Sequence, residues 1–402
     1  MIPLKDIADT YPDEQLFLLL LTRVYFATAR IDELRDFISS RNIDWQLVYK
    51  IARAHSIRPF VYHVILAKKL DVLAEFKSKL ENDYQMALQK NMMQGLMTAE
   101  ITRDLKKLGI DVISYKGASL AARYYENIAM RESVDIDFIA NRKDIAAIED
   151  YFIGKDYFPK ETVPRKYLSF YSRFFKDMVY RIPKYDGKVE IHWSLVDLFA
   201  GKFPSYAFFK PYTLSHKTVY GEYTVLSPPC EFLATVSNHL VKDMSTRFKY
   251  LIDLTCMLSK YPNLLNDPII LETAEKYGFK KKLKVGLSLI DNLIGVKIPG
   301  YYHADLSRED LSIPLAYPRA IGKFQFNDIT FIKRSLALQD SFRNKIRLLL
   351  SCFSYFFIPS YLDINAYRLP AVFLPLLFIL RPFRLALQKL GLTGKNKPIK
   401  KN

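Results

Sequence analysis

Apolar positions give the first outline of the chain. Leu16, Leu19, Leu20, Val24, Ala27, Ile31, Leu34 and Ile38 recur mostly at intervals of three and four, which predicts an amphipathic helix over 14–41. The same spacing continues over 45–54 and 58–70. Residues 74–108 hold no Pro and a single Gly, Gly95, so they read as one long helix. The first hundred residues are therefore expected to be helical throughout.

The period changes at Gly109. The β-branched run over 111–115, bounded by Gly109 and Gly117, predicts a short buried strand, and 118–125 then reads as helix. Residues 134–140 alternate acid and apolar, the period of two of a strand, so Asp135 and Asp137 share one face while Val134, Ile136 and Phe138 point into the core. A helix over 142–151 follows, then strands over 174–182 and 188–193, joined across a turn-rich 183–187. After Pro228 and Pro229 the helical spacing returns over 231–242, 247–258 and 280–294, and 299–318 reads as a loop-rich break. No repeat of fixed period is present, which argues against a solenoid. The pattern predicts an α+β protein whose core carries a small mixed sheet, flanked by N-terminal and C-terminal helical regions. Its expected divisions are a helical region at 1–95, a mixed core at 96–225, a helical domain at 226–340 and a basic, apolar tail at 341–402.

Composition adds exclusions. Half of the 402 residues are apolar and 14% are aromatic, which rules out bulk disorder. Cys230, Cys256 and Cys352 are odd in number and share no short spacing, so neither a disulfide framework nor a zinc knuckle is indicated and a reducing cytoplasm is expected. Residues 1–13 carry acids and Pro where a signal peptide needs a basic start and an unbroken apolar stretch. Of the net charge of +17, +10 falls in 341–402, where Asp363 is the only acid. A nucleic-acid groove would spread its cations through the core, so a nucleic-acid partner is not expected.

The apolar runs over 348–358 and 369–380 are too short for the roughly 20 residues of a membrane span. Arg381, Arg384, Lys389, Lys395, Lys397, Lys400 and Lys401 follow the second run. Basic and apolar residues side by side suit a helix lying on the inner, anionic face of a membrane, and equally a terminal helix packed on the body with a basic tip.

Chemistry concentrates in the mixed core. Two carboxylates on one strand face repel each other, and a divalent cation between them is the usual compensation; the same pattern also suits the wet face of an edge strand. Gly117 lies at a strand end before a helix, where backbone N–H groups can meet a phosphate and Ser119 adds a hydroxyl. Glu190 is a third acid, on an apolar strand that places His192 on its own face. Lys116 and Arg131 are near enough in sequence to neutralise phosphate, or to serve as ordinary ion-pair residues. His239 and Asp243 can meet on one helix face, Arg247 and Asp253 remain candidate pocket contacts, and His55, His63, His216 and His303 show no ligand spacing.

The stretches YKGASLAARYY at 115–125, RESVDIDFI at 131–139 and VEIHW at 189–193 resemble the DNA polymerase β-like nucleotidyltransferase superfamily. Within it they are most similar to uncharacterised bacterial nucleotidyltransferase-like proteins associated with surface polysaccharide genes. The likeness to the catalytic core covers about 96–225, and the chain departs from the signature at Ala118, between Gly117 and Ser119. The resemblance implies transfer of a nucleotidyl group from a nucleoside triphosphate to a hydroxyl acceptor, using two Mg²⁺ ions. It makes Asp135 and Asp137 the metal holders, gives Glu190 the acceptor side, and brings the triphosphate to Gly117 and Ser119. A module that keeps the fold and binds nucleotide or a partner without turnover is the alternative.

Overall fold

The segments of period two assemble into one mixed sheet of seven strands. The computed structural model describes residues 1–183, 187–197, 201–318 and 329–391. Its strands are β1 (Val112–Tyr115), β2 (Ile136–Ala140), β3 (Phe158–Pro159), β4 (Asp177–Ile182), β5 (Gly187–His192), β6 (Thr213–Thr218) and β7 (Gly221–Leu226), in the spatial order β3-β4-β5-β2-β1-β7-β6. β2 runs parallel to β5 and β1 parallel to β7, and the other neighbours are antiparallel. Every residue of β1 and β2 is buried, as a central pair covered on both faces must be. The mixed sheet and flanking helices are those of the α+β reading.

The 34-residue helix Ala74–Lys107 crosses the sheet beside β1 and β7. A side chain at Gly95 would strike the Tyr220 ring at 2.7 Å, so this glycine lets the β6–β7 turn sit against the helix. Two apolar cores result. One joins Met97, Ile101 and Leu105 of the long helix to Phe138, Phe152 and Tyr180. The other is shared between the N-terminal helices (Leu16, Leu20, Val61) and the helices after Pro228 (Phe232, Leu251, Leu283), so segments distant in sequence fold against each other.

Several expectations change. The helix expected over 14–41 is two, Asp13–Tyr25 and Ile31–Ser40, divided where Ala27 takes a left-handed φ of 56°. Arg23, which interrupts the first apolar run, is buried and donates from Nε to the Leu293 carbonyl at 2.6 Å, tying the N-terminal helices to the C-terminal helices of this shared core. β2 begins at Ile136, and Val134 is 56% exposed, because the chain is still turning into the strand there. The hairpin β6–β7 and the helix Pro268–Tyr277 were not anticipated. β6 carries Ser215, His216 and Lys217 on an edge, which hides its period, and the helix is announced by its Asp267 cap and Gly278 terminator.

The tail also differs. The run over 369–380 is the front of a continuous helical stretch, Ala371–Lys389, whose 19 residues are long and apolar enough by composition to cross a membrane. It packs on the body through Leu374 and Leu377, and Arg381 and Arg384 both bind the buried Asp363. Lys395, Lys397, Lys400 and Lys401 lie outside the described residues.

Candidate active site

At the end of β1 the chain turns sharply before the helix Gly117–Tyr124. Lys116 holds φ 55° and ψ −151°, a region that residues with a side chain rarely adopt, and Gly117 follows at φ 49°. A side chain on Gly117 would meet the Asp135 carbonyl oxygen at 3.0 Å, so the turn lies directly against the start of β2. The strained lysine is secured at its tip, where Nζ lies 3.3 Å from Asp137 Oδ1 and 4.4 Å from the centre of the Tyr115 ring.

The register of the sheet brings the acids together. Asp137 pairs with Glu190 across the parallel strands β2 and β5, and Asp177 pairs with His192 across β4 and β5. Side-chain ligand atoms of Asp137, Glu190 and His192 all lie within 4.8 Å of one another. His192 Nε2 is 2.9 Å from Asp137 Oδ1 and 3.5 Å from Glu190 Oε2, and its Nδ1 is 3.4 Å from Asp177 Oδ2. Burial alone would lower the His192 pKa, but hydrogen bonds to Asp137 and Glu190 outweigh it and raise the pKa above the usual value. Burial would raise Asp137, yet the Lys116 charge and the His192 hydrogen bond hold it well below the usual range, and Glu190 is lowered by His192 against its own burial.

Asp135 behaves in the opposite way. It immediately precedes β2 at the rim, and among the described residues no hydrogen bond or ion pair holds its carboxyl. Burial, then repulsion from Asp137 and Glu190, push it up to about 6. A carboxylate raised in this way is one that an added cation would relieve. Among the described residues, the side chains close enough together to hold a metal ion are Asp137, Glu190 and His192, and Asp135, expected as a ligand beside Asp137, lies outside that set.

The remaining expected residues take distinct places. Ser119 is buried beside the Tyr223 phenol. Arg131, expected as a phosphate neutraliser, directs Nε and Nη2 to Asp253 at 2.8 and 3.0 Å and Nη1 to the Gly117 carbonyl at 3.0 Å. It thus pins the turn to the helix Phe248–Lys260. Asp253 is fully buried and also accepts from Tyr125 at 2.5 Å and His239 at 2.7 Å. His239 therefore serves Asp253 and stacks on Tyr250, whose hydroxyl takes Asp243 instead. Arg247 reaches Ser56, away from the acids.

Three residues of the site were missed from the sequence. Lys249 donates to the Glu132 carbonyl; burial, then the Arg131 charge, lower it to about 8, and its own charge acts on Asp135. Lys176 and Asp177 form an ion pair behind His192. Only the alternation of β4 could have indicated Asp177, and nothing in the local sequence marks Lys249.

The family model described as "uncharacterised nucleotidyltransferase" matches residues 41–295. The match runs well outside the sheet at both ends, over the helices that share the larger core. No curated protein and no solved structure matches the chain.

Proposed function

The chain belongs to the uncharacterised nucleotidyltransferase family, and on that premise we propose that it transfers a nucleotidyl group from a nucleoside triphosphate to a hydroxyl acceptor in a Mg²⁺-dependent reaction. The observation that carries this reading is the facing of Asp137 and Glu190 across adjacent strands, with Asp135 just before β2, its main-chain carbonyl against the Gly117 turn and its carboxyl raised by burial and by repulsion from the other two acids. Mg²⁺ ions held by Asp135, Asp137 and Glu190 would supply charge neutralisation for the triphosphate and a lowered pKa for the acceptor hydroxyl.

The chain's own residues position the reactants. The turn at Lys116 and Gly117 presents the first N–H groups of the helix Gly117–Tyr124 to a phosphate, and Arg131 fixes that turn through the Gly117 carbonyl. Lys116 can transfer its ammonium from Asp137 to a phosphate oxygen without leaving the site. Glu190, whose side chain keeps 23% of its exposure, accepts a hydrogen bond from the incoming hydroxyl. As that oxygen bonds to the α-phosphorus, its proton passes to Glu190, the bond from the α-phosphorus to the α–β bridging oxygen breaks, and pyrophosphate departs.

We take the acceptor to be a sugar phosphate or glycan precursor in a cytoplasmic, surface-polysaccharide setting. A cleft lined by Arg142, Arg173, Lys176 and Trp193 lies next to the Lys176–Asp177 pair and suits a phosphorylated sugar. The rival reading is a binding module without turnover, favoured by one feature: Lys116 and His192 already neutralise Asp137.

Pyrophosphate release decides between them. Incubation of the protein with ATP, CTP, GTP or UTP, Mg²⁺ and a cell extract as acceptor source should release pyrophosphate with at least one triphosphate. Asp135→Asn should abolish the release, whereas undiminished release by that variant would refute this use of the acids.

A further inference from the structure

Exposed apolar side chains concentrate at one end of the chain. Among the described residues, 14 of the 31 large apolar side chains that face solvent fall in 342–390. They are ordered. On the helix Phe342–Ser354 the exposed positions are Phe342, Ile346, Leu349, Leu350 and Phe353, and on Ala371–Lys389 and the residue after it they are Val372, Leu376, Ile379, Phe383, Leu387 and Leu390. Both sets repeat at three and four, so each helix turns an unbroken apolar stripe outward along its length. Phe353 and Phe383 are each 64% exposed and Val372 is 75% exposed.

The inner faces are already occupied. Leu348 is buried on the first helix, and Leu374 and Leu377 on the second enter the cores, while Arg381 and Arg384 bind Asp363, which is wholly buried. The two helices meet where the Arg381 guanidinium lies 5.3 Å from the centre of the Tyr355 ring. Among the described residues, nothing in the chain covers the outward stripes. They are flanked by Arg343, Lys345, Arg347, Arg368 and Lys389, in a segment, 342–390, whose formal charge is +6.

We propose that these two helices dock the protein on an anionic lipid bilayer, lying in the plane of the interface with the stripes among the acyl chains. Charge selects this occupant. A second copy would bring two faces of like charge together, which opposes association, whereas acidic headgroups compensate the cations beside the stripes. The ion pairs to Asp363 select the in-plane arrangement, because a spanning 371–389 helix would have to pull two arginines off a buried carboxylate. The inference is independent of the nucleotidyl-transfer chemistry.

Vesicle flotation with the full chain tests it. The protein should float with vesicles containing about one third phosphatidylglycerol, bind phosphatidylcholine vesicles far more weakly, and be released by high salt or alkaline carbonate. Phe353→Glu with Phe383→Glu should weaken binding to the anionic vesicles by about tenfold or more at unchanged thermal stability. If those substitutions also unfold the protein, Phe353→Ser with Phe383→Ser should give the same loss in a folded chain. Three results overturn the proposal: no binding to anionic vesicles, retention after carbonate as a spanning protein would show, or a dimer in solution that the same variants dissociate without any vesicle binding.

Discussion

Asp253 and Asp137 are built from the same parts and end in different states. Each is a buried carboxylate with a cation and a histidine beside it. Around Asp253 the parts close on each other: Arg131 donates twice, Tyr125 and His239 once each, and the acid is driven far below its usual pKa by Arg131 despite its burial. Around Asp137 they do not close. Lys116 and His192 converge on one oxygen, Glu190 adds a second acid, and Asp135 is left at the rim as an anion that its neighbours oppose. The histidines report the difference, since burial dominates at His239 and lowers its pKa, while two carboxylates overcome burial at His192 and raise it. A satisfied buried charge network holds a fold together. An unsatisfied one beside an opening has capacity left for a ligand.

The strongest way to break this contrast is to open the closed cluster. Asp253→Ala strands a buried guanidinium and should cost about 3–5 kcal/mol of stability in denaturant unfolding, with the Gly117 turn loosened as well. A loss below about 1 kcal/mol would mean that the cluster is not the structural member described. Next is the loss of turnover in Asp135→Asn, which should fall by about two to three orders of magnitude or more, as removal of a group that stabilises the transition state does. The same variant should be more stable than the parent. Because the folded pKa of about 6 lies above the usual 3.8, Asp135 contributes stability below about pH 4 that is lost as pH rises through 6. The advantage of Asn should therefore be absent at pH 4 and reach on the order of 1 kcal/mol by pH 7, once solvent screening is allowed for. Asp137→Asn, which removes a lowered acid and leaves Lys116 without its partner, should be destabilised at pH 7 instead.

Smaller effects refine the comparison. Turnover should fall on the acid side as pH drops through about 6, where Asp135 takes up a proton and can no longer hold a cation. Lys249→Gln should move that acid limb upward by a few tenths of a unit, because the Lys249 charge favours the ionised form of Asp135. A downward move, read from the pH profile, would show that the lysine does not act on the rim acid.

Much of the core was legible because its signals are local. The strand before Gly117, the alternation through Asp137 and the VEIHW run each lie within a few residues, and sheet register then places Asp137 opposite Glu190. The partners of those groups were not legible. Arg131 and Asp253 are 122 residues apart, and the sequence offers no reason to prefer that ion pair over a phosphate. Lys249 reaches the rim because the helix Phe248–Lys260 folds back against the segment that leads into β2. The hairpin β6–β7 escaped notice because an edge strand with polar faces lacks the apolar period, and the tail helix read short because Pro375 interrupts its apolar run and Arg381 ends it, although neither ends the helix.

The most direct test is the position of a bound ion. Crystals grown with Mn²⁺ and a non-hydrolysable nucleoside triphosphate should show anomalous scattering between Asp135, Asp137 and Glu190, with the triphosphate at the Gly117 turn. A triphosphate bound there with no ion at these carboxylates, or Mn²⁺ bound only elsewhere on the protein, would contradict the account.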